Sequence, residues 1–301
     1  SSSRFTALVI ATRADVCAPL ELLIHFIVID VIVWSHQPCL VSSRFSRLTV
    51  RCIPDKYKAP KPKASQVKNI ELYNKAQADE VLAVSAHLTD QQKMMAELFN
   101  NKIESLGFSV LFVNFAQQLT LMEFVQLGFL TNMAAFDTSI AIWNHKYKYD
   151  AVRPFSAIEY LYGDGLVAAW GGPGKGTVTD HPASEWQSYL PVANHPEYPS
   201  ASASFCAAQA HVARHYLESD ALDWSIPVAQ GASCIEPGVT PQSPLVLYFP
   251  TWSDFETNCG DCRLWGGVHF YASIPAGQDM GHEIGDLVYQ YVQSLIDGPA
   301  R

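Results

Sequence analysis

From residue 70 onward the apolar and polar positions repeat with a helical period. In "LTDQQKMMAELFNNKIESLG", Gln92 follows Thr89 by three positions, a reciprocal capping pair, and the helix is predicted to end near Gly107. "LTLMEFVQLGFLTNMAAFDTSIAIWNHKY" repeats the device with Thr120 and Glu123. It then stays apolar nearly all round for over twenty residues, which predicts a central, buried helix. "WSDFETNCGDC" offers a third capping pair, Ser253 with Glu256, and "GQDMGHEIGDLVYQYVQSLIDG" closes the chain as an amphipathic helix. Strand-like alternation is confined to ambiguous pieces such as "LVLYF". The expected fold is therefore all-α: a helical bundle with long, proline-rich loops at about 162–199 and 224–252. No internal repeat is evident.

The first 69 residues are different. Stretches such as "VSSRFSRLTVR" and "PDKYKAPKPKAS" are rich in Ser, Arg and Lys, with prolines spacing the last piece like a linker. The division is thus 1–69, a targeting or irregular extension, and 70–301, a helical domain. Within the extension lies "PLELLIHFIVIDVIVW" at 19–34. Its length suits a cleavable targeting signal better than a membrane span, which needs about 20 apolar residues. Asp30 near its centre makes spanning costly, by about 2.5–3.5 kcal/mol. A docked apolar helix and a membrane contact through 19–34 remain the alternatives. A targeted, secreted or organellar setting is favoured over plain cytoplasm.

Hydrophobic residues are 49% and charged residues 16% of the 301, proportions of a folded chain. Charge divides sharply: residues 1–69 carry a net of +6 and the remainder −15. So acidic a body argues against nucleic acid as a partner. Any anion it binds must be held by a local cluster.

After residue 69 the only arginines are Arg153, Arg214, Arg263 and Arg301. "KYKYDAVRP" sets Lys146 seven before Arg153, about two turns if the helix continues. "CRLWGGVHF" sets Arg263 six before His269, across a Gly-Gly that permits a turn or close packing. "NHPEYPSASASF" brings small residues to a helix start at Ser200. Taken singly, these are ordinary solvated charges, a core histidine and a helix cap.

Together, and in this order, they resemble the three motifs shared by vanadium-dependent haloperoxidases and type-2 phosphatidic acid phosphatases. That pattern is Lys-x6-Arg-Pro, Pro-Ser-Gly-His and Ser-Arg-x5-His. Here it reads Lys146, Arg153, Pro154; then Pro199 to Ser202; then Cys262, Arg263, His269. The flanks "MAAFDTSIAIW" and "RLWGGVHFYASIPAGQDMGHEIG" resemble the haloperoxidase branch, and the likeness covers about 70–296.

The resemblance implies the helical-bundle fold of those enzymes and a vanadate cofactor, with phosphate able to occupy the same site. It implies Lys146, Arg153, Arg263, Ser200 and the amide of Ala201 as its holders, and His269 as the ligand to vanadium. Hydrogen peroxide and halide are the implied partners, with an organic acceptor beyond them. Trp143 falls where the family lines its halide pocket. His195 falls where bromide-oxidising members carry an additional histidine, which favours bromide or iodide. The chemistry fits the residues: guanidinium forks match paired oxygens, and free N–H groups at a helix start welcome an anion.

The departures are as informative. Ser202 stands where the family has its acid–base histidine, and a hydroxyl has no pKa near neutrality; such help is commonly worth about 10²–10⁴-fold. His195 and Ser202 are the two residues available for that role. Cys262 replaces the serine before Arg263, and Ser273 replaces the Asp that follows the axial histidine by four, so the residue orienting His269 is not evident. Asp137 on the central helix is a candidate for some supporting role behind the site. A weakened or inactive homologue that keeps an oxyanion site is the first alternative to a peroxidase, and an acid phosphatase is the second.

Other signals stand apart. "HVARH" spaces His211 and His215 as zinc ligands are spaced, with no third ligand evident. The seven cysteines leave one over, and a bridge from Cys234 to Cys259 or Cys262 is expected in an oxidising compartment. "WGGPGKG" reads as a flexible turn. The body is short for the family, so a homo-oligomer or a partner protein covering apolar helix faces is expected.

Overall fold

Side chains that cap their own backbone start the first long helices where the sequence predicts. The computed structural model describes residues 70–298; the segment at 19–34 lies outside them. Helix α1 is Ile70–Ala86 and α2 is Asp90–Asn100. Before α2 the Thr89 hydroxyl accepts from the Gln92 N–H while Gln92 accepts from the Thr89 N–H. The predicted run to Gly107 is broken, however. The Asn101 side chain accepts from the Ile103 and Glu104 N–H groups, offering the backbone an alternative to the helix. A π-helical turn at Ile103–Gly107 then leads into α3, Phe108–Gln117.

Helix α4, Leu121–Tyr149, opens on the expected Thr120–Glu123 box. It is not buried all round. One face, from Leu127 through Ala134 and Ile142 to Lys146, is buried, while Leu121 is 79% and Met122 65% exposed. Neighbours reach only one side of its first half, so apolar residues there face outward. Asp150 ends it in the left-handed conformation, and α5, Pro154–Tyr162, follows with proline in its first turn.

Both long loops contain sheet, so the fold is mostly helical rather than all-α. Strands β1, Leu166–Trp170, and β2, Thr177–Pro182, pair antiparallel around the "WGGPGKG" turn. Strands β3, Ala221–Val228, and β4, Leu245–Thr251, form a second ribbon. Prolines disguised them: Pro182, Pro227 and Pro250 all lie in strands, and in a two-stranded ribbon each strand keeps a free edge where proline is tolerated. On the second ribbon Leu222, Trp224, Leu247 and Phe249 turn inward. They join Phe99, Trp252 and Phe255 in an aromatic core with edge contacts of 5.1–5.7 Å. The capping pair expected at Ser253 falls at Thr251, whose hydroxyl accepts from the Asp254 N–H and opens α7, Trp252–Trp265.

Helix α6, Ala201–Leu217, runs through the middle, against α4, α7 and the last helix α8, Ser273–Ile296. A second core joins Leu130, Ala134 and Ile142 of α4 to Ala208 and Val212 of α6 and Met280, Ile284 and Val288 of α8. The α6–α8 contact is unusually close because glycines recur every fourth residue of α8. A Cβ at Gly277 would stand 2.5 Å from the Ser200 carbonyl, and one at Gly281 2.7 Å from the Ala207 Cβ. The disulfide joins Cys206 of α6 to Cys259 of α7. The expected bridge to Cys234 is not formed; that residue is exposed on the β3–β4 connection, its N–H donating to Glu97. Among the described residues no helix is long and apolar enough to cross a membrane.

The seam makes a direct prediction. Gly281→Ala overpacks two helix backbones and should cost about 1–3 kcal/mol in urea unfolding. Gly128→Ala, in α4 with nothing within 4 Å of the new Cβ, should gain about 0.5–1 kcal/mol from helix propensity. Equal effects at the two positions would contradict the packing account.

Candidate oxyanion site

Four helix ends meet on one side of α6. Lys146 lies in the last turn of α4 and Arg263 in the last turn of α7, where exposed carbonyls favour cations. Arg153 caps α5, and Ser200 caps α6 by accepting from the Ala203 N–H at 3.4 Å. The amides of Ala201 and Ser202 thus belong to a first turn, which has no acceptors within its own helix. Lys146 and Arg153 do not converge along one helix face as the spacing predicts. The helix stops at Tyr149, and the short link through Asp150 turns Arg153 inward.

Arg263 reaches His269 by a turn that only glycine permits. Gly267 has φ of 71°, and a Cβ there would meet Ser188 at 3.0 Å. The N–H groups of Val268 and His269 then fold back onto the Arg263 carbonyl.

Lys146, Arg153, Ser200, Arg263 and His269 are all buried. Lys146 Nζ donates to the carbonyls of Pro196 (2.7 Å) and Glu197 (2.9 Å). Arg153 spans the site. Its Nη1 donates to the Val268 carbonyl (2.6 Å) and to His269 Nε2 (3.1 Å), and its Nη2 lies 3.1 Å from His195 Nδ1. Arg263 Nη2 donates to Asn100 at 3.4 Å, while its buried Nε and Nη1 have no acceptor among the described residues. Buried guanidinium donors left open in this way are what a missing anion would satisfy.

The residue that orients His269 is Glu197. Its Oε1 accepts from His269 Nδ1 (2.8 Å) and from the Phe270 N–H (3.0 Å), and Ser273 Oγ donates to both its oxygens at 2.6 Å. Both His269 nitrogens are therefore accounted for, and Asp137, buried on α4, does not fill that place. The pairing fixes the tautomer: Nδ1 carries the proton, and Nε2 presents a lone pair to the centre of the site. Ser273, standing where the family has Asp, acts through Glu197. The sequence did carry a signal, since Glu197 is the only acidic residue between Glu185 and Glu218 and lies three before Ser200.

Burial shifts the titration of His269, His195, Lys146, Glu197 and Arg153. It holds the His269 imidazole well below its ordinary value, and Lys146, Arg153 and Arg263 press it further, so the ring is neutral. Burial, then Lys146, takes His195 down to about 4. Burial, with Arg153 beside it, lowers Lys146, and burial raises Glu197 against its hydrogen bonds and the cations. Arg153 is lowered by burial to about 10 and stays charged at neutral pH. Trp143 packs against His195 with ring centres 5.1 Å apart, which places both at the mouth of the site. Ser202 is half-buried at the start of α6.

A mostly helical chain whose helix ends gather buried cations around a neutral histidine has the class of site that suits an oxyanion. The comparisons narrow that class. A family model described as the VCPO second helical-bundle domain matches residues 126–298, and the chain belongs to the vanadium-dependent haloperoxidase family. It is similar to the crystal structure of a holo-type bacterial vanadium-dependent chloroperoxidase, with 41% identity and a TM-score of 0.76 over 81% of this chain and 53% of that one. The apo-type structure gives 40%, 0.78, 81% and 53%. A bacterial vanadium-dependent iodoperoxidase shares the fold at 16% identity and a TM-score of 0.53, over 71% of this chain and 48% of that one. The chain thus spans about half the length of these structures. No curated protein matches it at a significant level.

Glu197→Ala should cost about 3–5 kcal/mol in urea unfolding, because it strips buried donors and cations of their one carboxylate. Ser273→Ala removes a single donor and should cost about 1 kcal/mol. A Glu197→Ala loss no larger than that of Ser273→Ala would contradict the assigned pairing.

Proposed function

We propose that the chain binds vanadate at this cation cluster and uses hydrogen peroxide to oxidise a halide to a hypohalous-acid equivalent. The observation that carries the reading is the pair of open, buried Arg263 donors beside the neutral Nε2 of His269. Family membership and the holo-type relative support the same cofactor.

In this reading Lys146, Arg153 and Arg263 balance the oxyanion's charge, and Ser200 with the Ala201 amide meets its oxygens at the α6 start. His269 is the ligand through Nε2, kept aligned by Glu197. Bound vanadate supplies Lewis acidity that polarises peroxide. Arg153 now donates to Nε2, so anion binding requires its guanidinium to move from the nitrogen to an oxygen. Arg153 Nη2 and the Pro196 carbonyl both lie 3.1 Å from His195 Nδ1, and the ring keeps one N–H in either tautomer. His195 is therefore a hydrogen-bond donor at neutral pH, and Ser202 is a second hydroxyl donor. Between them they stand in for the motif-two histidine.

Trp143 and His195 together are proposed to face the halide. His195 favours bromide or iodide, while the names of the relatives near 40% identity specify chloride, so the three halides are assayed side by side. Phe115 at 55% exposed, with Leu121, Met122 and Val125, leaves an apolar face on α3 and α4 that supports an oligomer or partner. The Cys206–Cys259 bridge supports an oxidising, targeted setting.

The expected result is halide oxidation by peroxide that needs added orthovanadate and falls at least about 10²-fold in His269→Ala. Aryl-phosphate hydrolysis inhibited by vanadate would replace this reading with a phosphatase. No turnover in either assay would leave an inactive oxyanion-binding homologue.

A further inference from the structure

The histidine pair of "HVARH" gains in three dimensions the third ligand that the sequence lacks. His211 Nε2 and His215 Nε2 each lie 2.7 Å from the same oxygen of Asp286, and the three donor atoms fall within 4.8 Å of one another. The cluster is separate from the oxyanion site: His211 is eleven residues beyond Ser200 along α6, a rise of about 16 Å. We propose that His211, His215 and Asp286 bind a divalent transition metal ion, with zinc as the probe, and so tie α6 to α8.

Three features of the fold carry the proposal. The histidines are four apart on a helix, so their rings share one face. Asp286 comes from the opposing helix, one residue after Gly285, whose close approach to the His211 Cβ (3.0 Å from a built Cβ) sets the spacing of the two helices. The ligands therefore stand on rigid elements at a fixed separation. Zinc–ligand bonds of about 2.0–2.2 Å put tetrahedral ligand atoms about 3.3 Å apart, so each nitrogen withdraws from the oxygen by about 0.6 Å and the two nitrogens, within 4.8 Å of each other, close by up to about 1.5 Å. Two imidazoles and a carboxylate, with water in a fourth position, are a donor set suited to zinc.

One adjustment is required. Arg214 Nη2 now donates to His211 Nδ1 at 3.0 Å, which keeps the His211 proton on Nε2. Ligation moves that proton to Nδ1 and turns the guanidinium away. Arg214 keeps Glu256 (3.3 Å) and Ser253 (3.2 Å) as acceptors.

The test is calorimetric titration of the whole chain with zinc chloride, with cobalt absorption reporting geometry. Wild type should bind an equivalent that His215→Gln and Asp286→Asn each weaken by at least about 10–100-fold, the scale on which even a ligand's supporting partner counts. The substituted side chains are 42% and 45% exposed, so the variants should retain the wild-type circular dichroism. Cobalt bound at this site should show the intense visible bands of a four-coordinate ion. Absence of saturable zinc binding, or equal binding by wild type and both variants, would overturn the proposal. Halide oxidation plays no part in the test, so its outcome is independent of the oxyanion reading.

Discussion

Three buried cations gather around one buried histidine with a single buried carboxylate among them, and the rest of the site is arranged around that imbalance. Lys146 and Arg153 act on Glu197, and all three cations act on His269. Removing such charges from water costs several kcal/mol each unless partners compensate. The protein compensates in part with backbone: the carbonyls of His195, Pro196, Glu197 and Val268 all accept from Lys146 or Arg153. It leaves the remainder open at Arg263. An anion completes the balance, which is why the geometry supports an oxyanion site more strongly than any single motif does.

The same imbalance governs His269. In a positive, dry setting the ring stays neutral, and a neutral ring with Nδ1–H held by Glu197 offers its lone pair at Nε2. Changes from the family pattern are absorbed locally. Ser273 cannot orient the histidine itself, but it donates to the glutamate that does. Ala201 keeps the helix-start amide, since a residue inside α6 needs no positive φ. Ser202 is the departure with no full compensation in view, because neither it nor His195 is a proton acceptor near neutrality.

What could be read from the sequence was local or motif-based. The Thr89 and Thr120 caps involve contacts three residues apart, and both are present. The motif spacing identified the cations and His269 because gapped patterns survive without knowledge of the fold. Of the strands only "LVLYF" was legible, as an ambiguous piece, because Pro182 and Pro227 conceal alternation in edge ribbons. The outward apolar residues of α4 were misjudged because periodicity cannot tell how many neighbours a helix has. Asp286 and the Cys206–Cys259 bridge were unreadable for one reason: each depends on a partner more than 50 residues away.

The central claim is that the open Arg263 donors and the His269 lone pair address one bound oxyanion. A crystal structure of the chain soaked in orthovanadate tests it most directly. The account predicts vanadium bonded to His269 Nε2, with oxygens on Arg263 Nε and Nη1 and Arg153 withdrawn from the imidazole. Vanadate found elsewhere, with Arg153 still donating to Nε2 at saturating concentration, would contradict it.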